Sequence, residues 1–475
     1  MESPLKKCIF ASKSHYKKCI FLATPLIYKY ITMFKRKIEK ILLDWKTRIN
    51  HNPLVIKGCR QCGKTSSVVS FAKANYKHII YIDFHEHEEY KDFFAGALNT
   101  DTIILNITIG MPDAKFVPGQ TCLILDEIQE CPRARSSLKF FALDGRYDVI
   151  CTGSLLGVSG YKLPDKTDEQ ASIPVGFEEI INMYPMDFEE WLWANGVQPQ
   201  HFDYLSQCFE RQEPVNEAIH RRMRELLLKY MIVGGMPAAV SAFFTFNDMN
   251  RVQAIQRDII DTYKDDMIKY ASRHDQPLIK ECFESIPAQL ARENKKFTYS
   301  IIRNNARASQ YQGSLQWIED AGIIRRCYNL RITELPLDGN AIKDSFKVYM
   351  ADIGLLVSML EEGTAWSIMQ GNMLGYKGAI FENLVADIFG KMGRKLYYFK
   401  KNSGLEIDFV IRYKGECCPI ECKASTGNSK SLKTILKHPE HYHVTHAIKL
   451  GDYNIGKSNS ILTLPLYMAF ILTEY

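Results

Sequence analysis

The chain is 475 residues long, too long for one ordinary hydrophobic core, so about two to four domains are expected. Apolar residues make up 46% and charged ones 24%, the usage of a folded chain, which excludes a disordered one. The formal charge of +6 is mild for this length; it permits contact with nucleic acid without demanding it, because such binding needs a focused basic patch.

At the head, Cys19 to Ile31 is the most apolar stretch, but it is interrupted by Lys29 and falls short of the roughly 20 residues a membrane span needs. With Lys6, Lys7, Lys13, Lys17 and Lys18 before it, the head has the basic and apolar parts of a signal peptide. Met33-Phe34-Lys35-Arg36-Lys37-Ile38 opens the domain that follows, so residues 1–32 are read as an upstream extension and Met33 as an alternative start. Thirteen cysteines, an odd and irregular set that includes Cys417-Cys418, read as reduced thiols, and the expected setting is cytoplasmic, without a membrane.

Ile38, Ile41, Leu42 and Trp45 have helical spacing. Pro53-Leu54-Val55-Ile56 is a short apolar run leading into the loop Gly58-Cys59-Arg60-Gln61-Cys62-Gly63-Lys64-Thr65. Further strands are expected at Ile79–Asp83, at Thr121–Leu125 ending in Asp126-Glu127, and at Tyr147–Ser154. Strands alternating with helices imply an α/β fold, a parallel sheet covered on both faces, with ligands beyond the strands' carboxyl ends. From Phe188 to about Tyr270 the pattern is helical, broken at Gly234-Gly235-Met236-Pro237. Strands return at Val348–Met350, Lys395–Phe399, Ile407–Tyr413 and Pro419–Cys422. The expected divisions are 33–200 for a P-loop core, 201–275 for a helical lid, 276–345 for a small helical module and 346–475 for a small α/β domain.

The glycine loop has the chemistry of a phosphate cradle. Successive backbone N–H groups can turn toward phosphate oxygens only where side chains do not obstruct them. On this reading residues 58–66, from Gly58 through Cys59, Arg60, Gln61, Cys62 and Gly63 to Lys64, Thr65 and Ser66, hold ATP. Lys64 neutralises the terminal phosphates and the Thr65 hydroxyl ligates Mg2+. Asp126 holds the same metal, Glu127 orients the attacking water, and Thr152 or Ser154 senses the terminal phosphate. Cys59 and Cys62 lie inside the loop, and no second pair completes a zinc site.

Taken together, these segments resemble a prokaryotic family of AAA-type ATPases that carry a C-terminal domain of unknown function, the 4143 family. The likeness runs from Met33 nearly to the end. It rests on Gly58, Arg60, Gln61, Gly63, Lys64 and Thr65; on Leu125–Gln129 with Pro132; on Thr152-Gly153-Ser154; and on Pro185-x-x-Phe188-x-Glu190. Gly234-Gly235-Met236-Pro237 and Tyr349-x-x-Asp352-x-Gly354-Leu355-Leu356 complete it. The resemblance implies ATP hydrolysis, a homo-oligomer built through the AAA cores, a winged helix-turn-helix in the middle and a restriction-endonuclease-like tail. Many relatives place a basic residue after the glycine matching Gly176, where this chain has Phe177. The arginine finger is therefore unassigned, with Arg133, Arg135 and Arg146 as candidates.

In the middle module, Phe297–Ile302, Ser309–Ile318 and Ala321–Ile324 read as helix, turn, helix and strand. If DNA is the partner, Arg307, Gln310, Gln312 and Ser314 are placed near base edges, with Arg325 and Arg326 on phosphates. In the tail, Asp408 and Glu421 on neighbouring strands are expected to share a magnesium ion, with Lys423 polarising water and Glu382 as the third acid. The competing reading is a nucleotide-gated scaffold whose tail binds a protein partner without cleaving nucleic acid. His438, His441, His443 and His446 match no zinc spacing and read as solvated or packed imidazoles.

Overall fold

A computed structural model of the chain describes residues 34–155, 174–372, 376–423 and 429–473. The chain divides into a short unit, Met1–Lys35, and a large one, Arg36–Tyr475, which holds every helix and strand described. The expected extension over 1–32 and the alternative start at Met33 lie outside the described residues.

Helix α1 (Ile38–Thr47) buries Ile38, Leu42 and Trp45 as one stripe. It is followed by β1 (Leu54–Gly58), α2 (Lys64–Asn75), β2 (His78–Asp83), α3 (Thr100–Gly110), β3 (Thr121–Asp126), α4 (Pro132–Asp144), β4 (Asp148–Ser154) and β5 (Glu179–Met183). All five strands run parallel in the order β2-β3-β4-β1-β5. Alternate residues of one strand feed opposite faces. Val55, Leu123, Leu125 and Val149 enter one core, and Leu54, Ile56, Ile124 and Ile150 enter the other. Because both faces are buried, these strands appear in the sequence as unbroken apolar runs. Strand β1 lies between β4 and β5, with Gly58 abreast of both Ser154 and Met183. The carboxyl ends of β1, β3 and β4 therefore meet at one edge.

The next segment is helical, as expected: α5 (Phe188–Ala194), α6 (Pro199–Arg211), α7 (Glu217–Val233), α8 (Pro237–Phe246), α9 (Met249–Tyr270) and α10 (Asp275–Ala291). Gly234 at φ +67° ends α7, and Pro237 starts α8 at a position where its missing N–H costs nothing. Among the described residues no single helix is long and apolar enough to cross a membrane.

The middle module departs from expectation. Phe297–Ile302 holds only a single 3-10 turn, Tyr299–Ile301, because the Phe297 N–H donates to the Phe346 carbonyl at 2.8 Å and draws the chain alongside a strand. Helix α11 (Ala308–Asp320) precedes an antiparallel hairpin of β6 (Ile324–Leu330) and β7 (Ala341–Met350). Strand β6 also pairs in parallel with β8 (Leu396–Lys400), which carries β9 (Glu406–Ile407) on its far side. The resulting sheet, β7-β6-β8-β9, takes strands from both sides of the expected 345/346 division, which falls inside β7. Helices α12 (Ile353–Met359), α13 (Thr364–Met369) and α14 (Lys377–Lys391) lie between these strands in sequence. The tail adds β10 (Phe409–Tyr413), β11 (Glu416–Lys423), α15 (Lys430–Lys437), α16 (Pro439–Tyr442), β12 (Ala447–Gly451), β13 (Gly456–Ser458) and β14 (Ile461–Pro465). Its strands form a mixed sheet in the order β10-β11-β12-β14-β13.

Candidate functional site

At the end of β1 the backbone is so crowded that a Cβ on Gly58 would lie 2.3 Å from the Met183 carbonyl oxygen. Gln61 at φ +60° and Gly63 at φ +95° then reverse the chain into α2. Lys64 is buried, and its ammonium donates to the Gly58 and Cys59 carbonyls at 3.1 Å each, which holds the loop closed on itself. The Ser66 hydroxyl donates to the Gly63 carbonyl at 3.0 Å. Cys59 and Cys62 are buried in contact. The hydrogen bond from Cys59 pulls the Cys62 thiol down to about 6, with Lys64 and Arg36 helping against burial.

Asp126, at the end of β3, is 3% exposed. One oxygen accepts from the Thr65 hydroxyl at 2.9 Å and from the Tyr81 hydroxyl at 2.7 Å. The other accepts from Thr152 and from the Glu127 N–H at 3.1 Å. Thr152 therefore orients Asp126, whereas Ser154, two residues on, lies abreast of Gly58. Glu127 has left-handed backbone, φ +52°, and its carboxylate accepts from Gln129. The Thr65 hydroxyl beside the Asp126 carboxylate is a pair of hard oxygen donors that suits Mg2+.

Sequence reasoning missed several groups around the loop because they come from distant segments. Tyr81 is a hydroxyl set among Ile79, Ile80 and Ile82, a signal that could have been read. Arg36 donates to the Cys62 carbonyl at 3.0 Å. Asp266 of α9 pairs with Arg60 at 2.7 Å, and burial pushes its carboxyl up to about 6 against that charge. Tyr263, one turn earlier, donates to the Arg60 carbonyl at 3.3 Å. From the middle module, the Gly322 turn packs on Cys59 and Leu155, and Trp317 joins Cys59, Arg60, Ser154, Tyr263 and Asp266 around a small cavity. From the lid, Pro237 Cγ lies 3.4 Å from where a Cβ on Gly63 would stand.

The turn that carries Pro237 is itself tied to the tail. Asp352 accepts from the Gly235 N–H at 2.8 Å and from the N–H groups of Gly354 and Leu355. Lys391, at the end of α14, reaches Asp352 at 3.0 Å, Asp387 at 2.8 Å, the Tyr230 hydroxyl at 3.0 Å and the Met186 carbonyl at 3.2 Å, all without solvent.

The three candidate finger arginines are engaged within the chain. Arg133 donates to the Phe94 and Gly96 carbonyls, Arg135 forms a buried pair with Glu178 at 2.7 Å, and Arg146 binds Asp101 and Asp144. In the middle module Arg307, Gln310 and Gln312 are exposed at the start of α11, but Ser314 is buried and cannot reach a base. Arg325 and Arg326, expected on phosphates, have partners within the chain. Arg325 stacks on Tyr184 at 4.9 Å, in space kept open by Gly390, and Arg326 is paired with Glu319 and Gln316.

Among the tail's carboxylates, Glu382 and Asp408 lie close enough for the charge of one to act on the other, and each is held by partners of its own. Glu382 on α14 is clamped by Lys295 at 2.5 Å, Lys347 at 3.3 Å and the Tyr349 hydroxyl at 2.9 Å. Burial would raise this carboxyl, but the two ammonium groups pull it down to about 2. Burial and the Glu382 charge push Asp408 up to about 7, and it accepts from the Cys422 N–H at 2.8 Å. Glu421 instead pairs with Lys423 at 2.7 Å. Among the described residues no group of three or more His, Cys, Asp or Glu side chains is arranged to hold a metal ion. Lysines from two other segments neutralise Glu382, and Glu421 meets its own lysine through one oxygen while the other oxygen is buried without a hydrogen-bond partner. Of the four histidines, His438, His443 and His446 each lie beside a glutamate.

Residues 50–192 match the family model described as an AAA domain, residues 224–365 a domain of unknown function (DUF8612), and residues 377–467 a domain of unknown function (DUF4143). No curated protein matches the chain. Among solved structures, the chain is similar to the Walker-type ATPase PABY2304 of Pyrococcus abyssi, with 14% identity, a TM-score of 0.42, and coverage of 69% of this chain and 96% of that one. It is also similar to AMPPCP-bound DnaA from Aquifex aeolicus, with 13% identity, a TM-score of 0.23, and coverage of 60% and 87%. The parallel sheet, the glycine loop at its edge and the matching segments agree: the chain carries an AAA domain of P-loop fold over residues 50–192 and a C-terminal DUF4143 domain over residues 377–467.

Proposed function

We propose that the chain is an ATP-driven switch in which the state of the phosphate loop sets the arrangement of the lid, the middle module and the tail. The observation that carries this is the convergence of all three on the loop: Pro237 and Asp266 from the lid, Gly322 from the middle module, and the tail through Asp352 and the Gly234–Pro237 turn. A loop that closes around phosphates must shift against each of these contacts.

In this reading the backbone N–H groups around Gly63, with Lys64, hold the triphosphate. Lys64 exchanges the Gly58 and Cys59 carbonyls, neutral partners, for anionic ones. Thr65 and Asp126 hold Mg2+, which when bound screens the phosphate charge. Glu127, released from Gln129, orients the water. Arg133, Arg135 and Arg146 serve their own chain, so the finger charge is assigned to a neighbouring subunit and a homo-oligomer is proposed.

The tail acts by binding. The lysine clamp on Glu382 supports this over phosphodiester cleavage. The partner proposed is DNA, on the exposed Arg307, Gln310 and Gln312 and on the solvent side of α15, where Lys430 and Lys437 lie opposite buried Leu432 and Ile435. ATPase rates with and without double- and single-stranded DNA test the coupling, and incubation of labelled DNA with Mg2+ or Mn2+ tests cleavage. Stimulation without cleavage is the expected result. Rates indifferent to DNA favour a protein partner, and cleavage lost in Asp408→Ala refutes the binding-only tail.

A further inference from the structure

We infer that Arg36 is a positioning residue for nucleotide: by holding the Cys62 carbonyl from behind, it turns the Gly63 N–H toward the phosphates. The inference rests on the proposed ATP reading and adds a residue to that site. Arg36 precedes α1, far in sequence from the loop, yet it is 7% exposed and its fork ends on the loop itself. Nη1 donates to the Cys62 carbonyl at 3.0 Å and Nη2 to the Tyr184 carbonyl at 2.7 Å. Nε lies 3.1 Å from Glu190 Oε1, but its N–H is not aimed along that line, so this contact is an ion pair.

The geometry explains why a donor at that carbonyl matters. The peptide between Cys62 and Gly63 is trans and planar, so its C=O and N–H point in opposite directions. Fixing the carbonyl therefore fixes the amide. Gly63, at φ +95°, has the freedom to let this peptide plane rotate, and a loop with that freedom needs an external brace. Arg36 and Pro237 both stand beside it, 3.3 and 3.4 Å from the position of a Cβ at Gly63. The guanidinium charge is balanced by the buried Glu190 carboxylate 3.1 Å away, so its effect on the loop is chiefly one of position.

The Pro-x-x-Phe-x-Glu segment gains a role from the same contacts. Asp187 and Glu190 form a reciprocal cap at the start of α5, and Glu190 also accepts from the Lys37 N–H at 2.6 Å. These bonds hold Glu190 in place beneath Arg36, and the pair balances the arginine's buried charge. A lysine at position 36 keeps the charge but has one ammonium group and cannot span the Cys62 carbonyl, the Tyr184 carbonyl and Glu190 together.

The test is the affinity of the full chain for a fluorescent ATP analogue with Mg2+, with ATP, ADP and AMP as competitors and with melting temperatures recorded. The variants are Lys64→Ala, Arg36→Lys, Arg36→Ala and Glu190→Gln. Arg36→Lys is expected to weaken ATP and ADP about tenfold, the size of one hydrogen bond from a charged donor, and to leave AMP unchanged. Glu190→Gln is expected to show a smaller loss of the same kind. Arg36→Ala, where it folds, is expected to lose more and to recover in part with added ethylguanidinium. Arg36→Lys binding ATP like the unaltered chain overturns the inference, as does an equal loss for all three nucleotides, which marks a loosened fold. If the unaltered chain does not bind the analogue, or Lys64→Ala binds it equally well, the ATP reading itself falls and takes the inference with it.

Discussion

Lys391→Met tests whether the junction between lid and tail depends on one buried cation. The substitution keeps an unbranched side chain of similar length and deletes the ammonium group. It leaves Asp352 and Asp387, 2% and 0% exposed, facing Tyr230 and the Met186 carbonyl with no cation. Breaking a buried pair from one side costs about 3–5 kcal/mol, because the remaining charge must stay buried or take up a proton. The cost should depend on pH. Burial already pushes Asp387 up to about 7, against the pull of Lys391. Its folded value is above its unfolded one, so the associated stability is fully present below about pH 4 and is lost as pH rises through 7. At pH 5 the orphaned Asp387 is protonated and the variant is penalised less than at pH 8. Hydrogen exchange of the α14 amides measures the local opening free energy at both values. A loss under about 1 kcal/mol at pH 8, or an identical loss at pH 5, refutes the argument.

Lys64→Ala should abolish binding of a fluorescent ATP analogue. Glu127→Gln should bind it and stop turnover, and undiminished hydrolysis in that variant rejects Glu127 as the group that orients water. Gly58→Ala forces a Cβ to within 2.3 Å of the Met183 oxygen, so it should destabilise the core by roughly 1–3 kcal/mol, read as a lowered melting temperature. Burial and Glu382 hold Asp408 near 7, so the chain should lose stability as pH rises through that value. Asp408→Asn, which stays neutral, should flatten the dependence between pH 6 and 8, and an unchanged slope in thermal melts removes Asp408 as its source.

The phosphate loop, the Asp126 strand and the helical segment after Phe188 were legible in sequence because each is local. A glycine's backbone freedom, a run of apolar residues buried on both faces and a Gly-Gly-x-Pro break all leave their mark within a few neighbouring positions. The motif shared with relatives also pointed to Glu190 and Asp352, though not to what they touch. Those contacts depend on how distant segments pack. Arg36 meets Cys62 across 26 positions, Lys391 meets Met186 across 205, and Lys295 meets Glu382 across 87.

The tail shows the limit most plainly. Spacing put Glu421 and Lys423 on one face of a strand, and that arrangement is present. How the charge of Glu382 is balanced was decided by Lys295 and Lys347, which no local pattern connects to it. Period and turn chemistry are properties of neighbouring residues, so the sequence alone determined the sheet, the loop and the helical lid. The partners of a buried charge are selected by whichever cations the tertiary packing brings within reach, since leaving it unpaired is so costly, and that selection exists only in the folded chain.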